Sequence, residues 1–172
     1  GGKVGHPNRP GLALALEGDA GWGRVVTDGL AVGALPDEVL DAAAELARSR
    51  WLPRAEDGWW VTAVPSVHAG AILQAAGRGI AARLGVPFRE HVLGPKASVP
   101  PQRTMANSVQ QLRNVHAGLD VTGQPLPGPV LLLDDRVDSR WTLTWAGHRL
   151  QQAGSGPVHP LVLLQGLSGT DD

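Results

Sequence analysis

The stretch VLLLDDRVDSRWTLT, Val130 to Thr144, decides how this chain is read. With Pro129 ahead of it, five apolar residues run into two aspartates. A strand buried on both faces reads as a continuous apolar run rather than an alternating one, so this segment predicts a central strand that emerges at its carboxyl end with Asp134 and Asp135. WTLTWAGHRLQQAG then reads as a helix and PVHPLVLLQ as a last strand. Working back toward the amino terminus, WWVTAV is aromatic and β-branched and ends at Pro65, which predicts another strand. Between them, residues 70–84 set Ile72, Ala76, Ile80 and Leu84 four apart, the spacing of one helical face. FREHVL reads as a short strand, GPKASVPP as a loop and TMANSVQQLRNV as a polar helix. Further upstream, DEVLDAAAELARSR carries acids in its first turn and arginines in its last, as a helix dipole prefers, and LALALE between turn signals reads as a short strand. Strand and helix alternate from residue 59 to 165. That pattern predicts a three-layer α/β fold with a mainly parallel sheet. The expected organisation is an amino-terminal extension over 1–57, the α/β domain over 58–167 and a tail over 168–172.

Composition narrows the function classes. The 172 residues contain no cysteine, which excludes disulfides, thiolate metal sites and a cysteine nucleophile. The six histidines lack metal-ligand spacing, Ser66 lacks a G-x-S-x-G context, and no G-x-x-x-x-G-K-[ST] is present, so a zinc site, a serine hydrolase and an ATP motor are not expected in this chain. No run approaches the roughly 18 apolar residues of a membrane span, and a cytoplasmic location is the expectation. The chain begins with glycine and its one methionine is Met105, so an excised piece of a longer protein is expected. The net charge of −1 conceals a basic middle: residues 67–119 hold Arg78, Arg83, Arg89, Lys96, Arg103 and Arg113 against Glu90 alone. These are either solvated helix faces or phosphate contacts.

In open parallel sheets, ligands bind beyond the carboxyl ends of the strands, where helix amino termini converge. Two segments fall there: Pro65-Ser66-Val67-His68, and Asp134 to Thr142. Adjacent aspartates can hold a pair of ribose hydroxyls or a hydrated magnesium ion, while hydroxyls and backbone N–H groups hold a phosphate. The same residues can equally serve as helix caps and solvated acids.

The string VLLLDDRVDSRWTLT resembles the phosphoribosyl pyrophosphate motif of type I phosphoribosyltransferases, in register. Together with VPSVHAG and QRTMANSVQQLRNV it is similar to the ComF type of that superfamily, and more so to the phosphoribosyltransferase-like carboxyl-terminal domain of certain bacterial RecQ-family DNA helicases. The GDAGWG turn, Gly18 to Gly23, resembles a segment leading into that domain. The resemblance implies that Asp134 and Asp135 face the ribose hydroxyls and magnesium. It implies that Asp138, Ser139, Arg140, Trp141 and Thr142 form the 5′-phosphate loop, and that Pro65, Ser66 and His68 belong to the pyrophosphate loop. Arg103, Asn107, Gln110, Arg113 and Asn114 would form a lid or a nucleic-acid contact. The implied ligand is phosphoribosyl pyrophosphate with magnesium. The implied partners are DNA and the helicase core of a parent chain, with a role in DNA repair or recombination. One departure stands out: family members that use the ligand carry glycines where this chain has Arg140 and Trp141, so binding without transfer is the expected activity, with an active magnesium-dependent phosphoribosyltransferase or a ComF-like protein as the alternative. Trp59, Trp60, Trp141 and Trp145 would be available to stack on bases.

Overall fold

The computed structural model describes residues 5–52, 58–66, 69–95, 118–137 and 141–166. Its centre is β5, Val130–Val137, flanked by β6, Val158–Gln165, on one side and β2, Trp60–Ala63, on the other. β1, Leu12–Leu16, pairs with the outer side of β6, giving an all-parallel sheet in the order β1-β6-β5-β2. Leu131, Leu132 and Leu133 have no exposed surface, as a continuous apolar run at the middle of a two-sided sheet requires. Each such side chain contributes roughly 1.5–3 kcal/mol by leaving water.

Odd and even residues of β5 point to opposite faces, and two cores form accordingly. Leu131 and Leu133 meet α1 (Trp22–Val32), α2 (Asp37–Arg50) and α3 (Gly70–Leu84). Val130 and Leu132 meet α4 (Trp141–Gln152) and a two-stranded antiparallel ribbon of β3 (Leu93–Pro95) and β4 (Leu119–Val121). Three layers result. α4 is tied to the ribbon by Trp145, whose indole N–H donates to the Leu119 carbonyl at 3.1 Å, and by Arg149, which donates twice to Asp120 Oδ1 at 3.0 and 2.6 Å. No described helix is long and apolar enough to cross a membrane.

Several local expectations change. FREHVL is not a strand: Phe88 makes a single bridge to Val61, the chain then turns with His91 at a φ of 55°, and pairing resumes only at Leu93. The Thr62 hydroxyl fixes this detour by donating to the Arg89 carbonyl at 2.8 Å. The buried stripe of α3 is Leu73, Ala76, Gly77, Ile80 and Ala81, with Gln74 beside it, while Ile72 and Leu84 are only half-buried. The helix is therefore rotated relative to the face expected from its four-residue spacing. α1 and β4 were not expected at all. The expected polar helix over TMANSVQQLRNV lies outside the described residues.

Candidate functional site

The ladders on the two sides of β5 have different lengths. Toward β6 the pairing runs to Val137↔Gln165, whereas toward β2 it stops at Ala63↔Leu133. Beyond the last β2–β5 pair the two strands are no longer joined, and this end of the sheet, called the crevice below, has Asp134 and Asp135 on the β5 side and Pro65 and Ser66 on the β2 side. The two acids lie within β5 rather than beyond its end, because the strand continues through Arg136 and Val137. As consecutive strand residues they leave from opposite faces of the sheet. Asp134 is 7% exposed and its Oδ1 accepts the Asp135 backbone N–H at 2.8 Å; Asp135 is half-buried. A carboxylate is retained at such depth only with polar partners.

On the β2 wall, the Ser66 hydroxyl oxygen accepts the Ala69 N–H at 3.1 Å, one residue before α3 begins. This local turn positions the amino end of α3 against the crevice. On the β5 wall α4 starts at Trp141, whose indole is 62% exposed, with Thr142 half-buried next to it. Both helix amino termini thus point their N–H groups toward the carboxyl end of the sheet, the arrangement that attracts anions. Arg136 crosses the outer edge of this region and pairs with Glu17, which follows β1, at 2.8 Å. His68, Asp138, Ser139 and Arg140 lie outside the described residues, as do Arg103, Asn107, Gln110, Arg113 and Asn114.

The basic middle is largely neutralised where it is described. Arg83 bonds Asp41 at 2.6 Å and Asp37 at 3.4 Å, both on α2, and Arg78 bonds Glu90 at 2.9 Å. Arg89 is exposed. Trp60 has no exposed surface and Trp59 only 8%, so neither indole can be a stacking platform for a base; the strand needs them as core. Trp145 is tied to the ribbon and 36% exposed, and Trp141 at 62% is the most exposed of these four indoles. Among the described residues no group of three or more His, Asp or Glu side chains comes together to hold a metal ion.

Two clefts flank the crevice. One, of about 460 Å³, lies between α3 and the Glu90–His91 turn and contains Gln74, which the sequence reading had not singled out. The other, of about 400 Å³, lies between the Asn8–Ala13 segment, β6 and the first turns of α4. Its Asn8 side chain donates to the Leu143 carbonyl at 2.8 Å and so fastens the amino-terminal segment to α4.

Solved phosphoribosyltransferases share this architecture. The L. donovani hypoxanthine-guanine phosphoribosyltransferase matches with a TM-score of 0.50 and 16% identity, over 85% of this chain and 73% of that one. Adenine phosphoribosyltransferase from Saccharomyces cerevisiae matches at 0.49 with 17% identity, over 74% of this chain and 66% of that one. Orotate phosphoribosyltransferase from Aeropyrum pernix matches at 0.47 with 18% identity, over 83% and 63%. The chain thus spans just under two thirds of the length of the S. cerevisiae and A. pernix enzymes. No protein-family model matches it, and no curated protein sequence does. The parallel β1-β6-β5-β2 sheet, its helices on both faces and the L. donovani match give this chain the type I phosphoribosyltransferase fold.

Proposed function

We propose that this chain is an accessory phosphoribosyltransferase-like domain of a RecQ-like ATP-dependent DNA helicase, acting in DNA repair or recombination, and that its crevice binds a nucleotide or single-stranded DNA rather than catalysing phosphoribosyl transfer. The observation that carries the binding mode is Trp141, 62% exposed at the first residue of α4. A helix amino terminus attracts a phosphate, and an indole at its rim stacks on the attached base, an interaction worth about 1–3 kcal/mol per base. A cradle for transfer needs glycines so that backbone N–H groups approach the phosphate closely. Arg140-Trp141 in the sequence stands where those glycines would be. The resemblance supports the helicase parent, whose motor would lie outside this chain, since no G-x-x-x-x-G-K-[ST] occurs in it.

Burial of Asp134 at the crevice favours a second reading, a live phosphoribosyl pyrophosphate site. Its carboxylate and that of Asp135 would hold the ribose hydroxyls. No described protein cluster would bind magnesium alone, so the ion would be carried by the ligand's own pyrophosphate and ribose oxygens. Magnesium there would neutralise charge on the leaving pyrophosphate.

Titration of the domain with labelled single-stranded DNA at two salt concentrations, alongside phosphoribosyl pyrophosphate and magnesium followed by tryptophan fluorescence and calorimetry, separates the readings. Salt-sensitive DNA binding, weakened by Arg103→Ala with Arg113→Ala, is the expected result. Absence of DNA binding overturns the nucleic-acid reading. Saturable magnesium-dependent binding that is lost in Asp134→Asn with Asp135→Asn, accompanied by transfer to a base, establishes the enzyme instead. Helicase motifs upstream in the parent gene are expected, and a parent without them removes the helicase assignment.

A further inference from the structure

Gln74 is one of five described residues with a buried side-chain polar atom that has no hydrogen-bond partner. It lies on the sheet-facing side of α3 at 6% exposure, between Leu73 and Ala76. Its Oε1 has neither solvent contact nor a hydrogen-bond partner. A buried amide left unpaired is costly, and an apolar residue of the same size would remove that cost. Gln74 also lines the 460 Å³ cleft, which has the volume of a small-ligand site. The last torsion of a glutamine is soft, and Oε1 accepts no hydrogen bond that has to break before the amide turns its edge to the cleft.

The remaining walls restrict what fits. Arg78, one turn beyond Gln74, is held by Glu90 at 2.9 Å and lies over the Phe88 ring at 5.6 Å, so its planar group is fixed and its charge is offset. Glu90 also faces His91 Nε2 at 3.2 Å. The charges along this wall cancel, which disfavours a free anion and suits a neutral planar ligand. Both the guanidinium plane and the exposed His91 ring can stack on such a ligand. A glutamine amide pairs with an adjacent donor and acceptor, and its best-matched nucleobase edge is that of adenine, N6–H donating to Oε1 and N7 accepting from Nε2.

We propose that the cleft between α3 and the Glu90–His91 turn is a recognition site for an adenine base, read by Gln74. This cleft adjoins the Asp134 crevice, sharing its Pro65–Ser66 wall, but it is read by Gln74, which the function proposed above does not use, and so goes beyond that function.

The test is calorimetric titration of the 172-residue chain with adenosine, with purine riboside, which differs only in lacking the N6 amino group, and with nicotinamide. Saturable adenosine binding is expected, weaker by about tenfold or more for purine riboside and in Gln74→Leu. The same variant should raise Tm by about 2–4 °C, because it removes an unpaired buried amide. A fall in Tm would show that the amide is satisfied and overturns the premise. Equal binding of adenosine and purine riboside, adenosine binding unchanged in Gln74→Leu, no adenosine binding at millimolar concentration, or binding of nicotinamide alone each overturns the adenine assignment. Phosphoribosyl pyrophosphate, titrated separately, reports on the crevice through Asp134→Asn with Asp135→Asn, and adenosine reports on the cleft through Gln74→Leu, so failure at one site leaves the other legible.

Discussion

At the amino ends of β2 and β6, two consecutive tryptophans close both faces of the sheet, whereas further along β5 the ladder to β2 ends just before two consecutive aspartates. The geometry is the same in both places: adjacent strand residues leave from opposite faces. Trp59 goes to the α2 side, where its ring lies 6.2 Å from Trp51 and 4.5 Å from His159. Trp60 goes to the α4 side, where its indole N–H donates to the Gly128 carbonyl at 2.9 Å. Both bury large apolar area and lock one end of the domain. Asp134 and Asp135 take the equivalent opposed positions; Asp134 is buried and accepts the Asp135 N–H, and Asp135 is half-buried. The β2–β5 ladder stops just before them. The two ends thus differ in content: large buried apolar side chains at the amino end of the sheet, and the carboxylates of the candidate site at the carboxyl end.

The largest effect expected from breaking this division comes from Trp60→Ala. It empties the core beneath α4 and leaves the Gly128 carbonyl with one bond fewer, for a loss of roughly 3–5 kcal/mol in denaturant unfolding. A loss below 1 kcal/mol would mean that the amino end is not the stabilising end. Next is Gly128→Ala. A Cβ there would collide with the Gly58 backbone carbonyl, and Gly156 packs on the same peptide, donating its N–H to Gly128 at 3.0 Å. Neither neighbour is a flexible side chain, so a cost of about 1–3 kcal/mol is expected in thermal or urea unfolding.

His159 sharpens the comparison by pH. Burial among Trp51 and Trp59, with the positive charge of Arg9 adding to it, lowers its pKa from 6.5 to about 4. The unfolded chain therefore binds a proton between pH 6.5 and 4 that the folded chain refuses. Stability is fully present above pH 6.5 and is lost as pH falls toward 4. Because the ring is only half-buried, the loss attributable to this residue is on the order of 1–2 kcal/mol. Urea midpoints measured across that range should lose part of their slope in His159→Phe. An unchanged slope would assign the acid sensitivity to other groups.

Which parts of this architecture were legible follows from where the information resides. β5, β6, β2, α2 and α4 were readable because apolar runs and end charges are local signals. α1 was not. Its Gly23 belongs to the GDAGWG turn signal and Gly29 lowers helix propensity, yet both are buried where a Cβ would strike the Leu16 carbonyl or crowd Ala34 and Leu35. Close approach of backbones, a tertiary fact, accounts for glycines that depress local helix propensity. The same limit applies to charge. Arg83 reads as part of a basic segment, but its acids come from α2, 42 and 46 residues earlier. The position of the acids and Ser66 toward the carboxyl end of the sheet was legible because each follows a strand-like run in the sequence. Gln74 was missed because the spacing Ile72–Ala76–Ile80–Leu84 assigns α3 a face slightly rotated from the one it buries, and only the rotation reveals a buried amide.

The smallest stability effect is expected at the open end. Trp141 is 62% exposed and begins α4, so Trp141→Ala removes little buried area, and unfolding should shift by no more than about 0.5 kcal/mol. Binding should respond in the opposite proportion. If the indole stacks on a base, the same substitution weakens single-stranded DNA binding by about 1–3 kcal/mol, roughly five- to a hundredfold in affinity. Trp60→Ala, by contrast, should weaken DNA binding only through the fraction of chain that it unfolds. Measuring both variants at a temperature where each is folded separates the two roles. Equal DNA affinities in Trp141→Ala and the unaltered chain would leave the exposed indole without a ligand and erase the functional half of the division. A stability loss above 2 kcal/mol in Trp141→Ala would move that residue to the structural half, and the opening beside Asp134 would then depend on packing at the start of α4 rather than on the mismatch in ladder length.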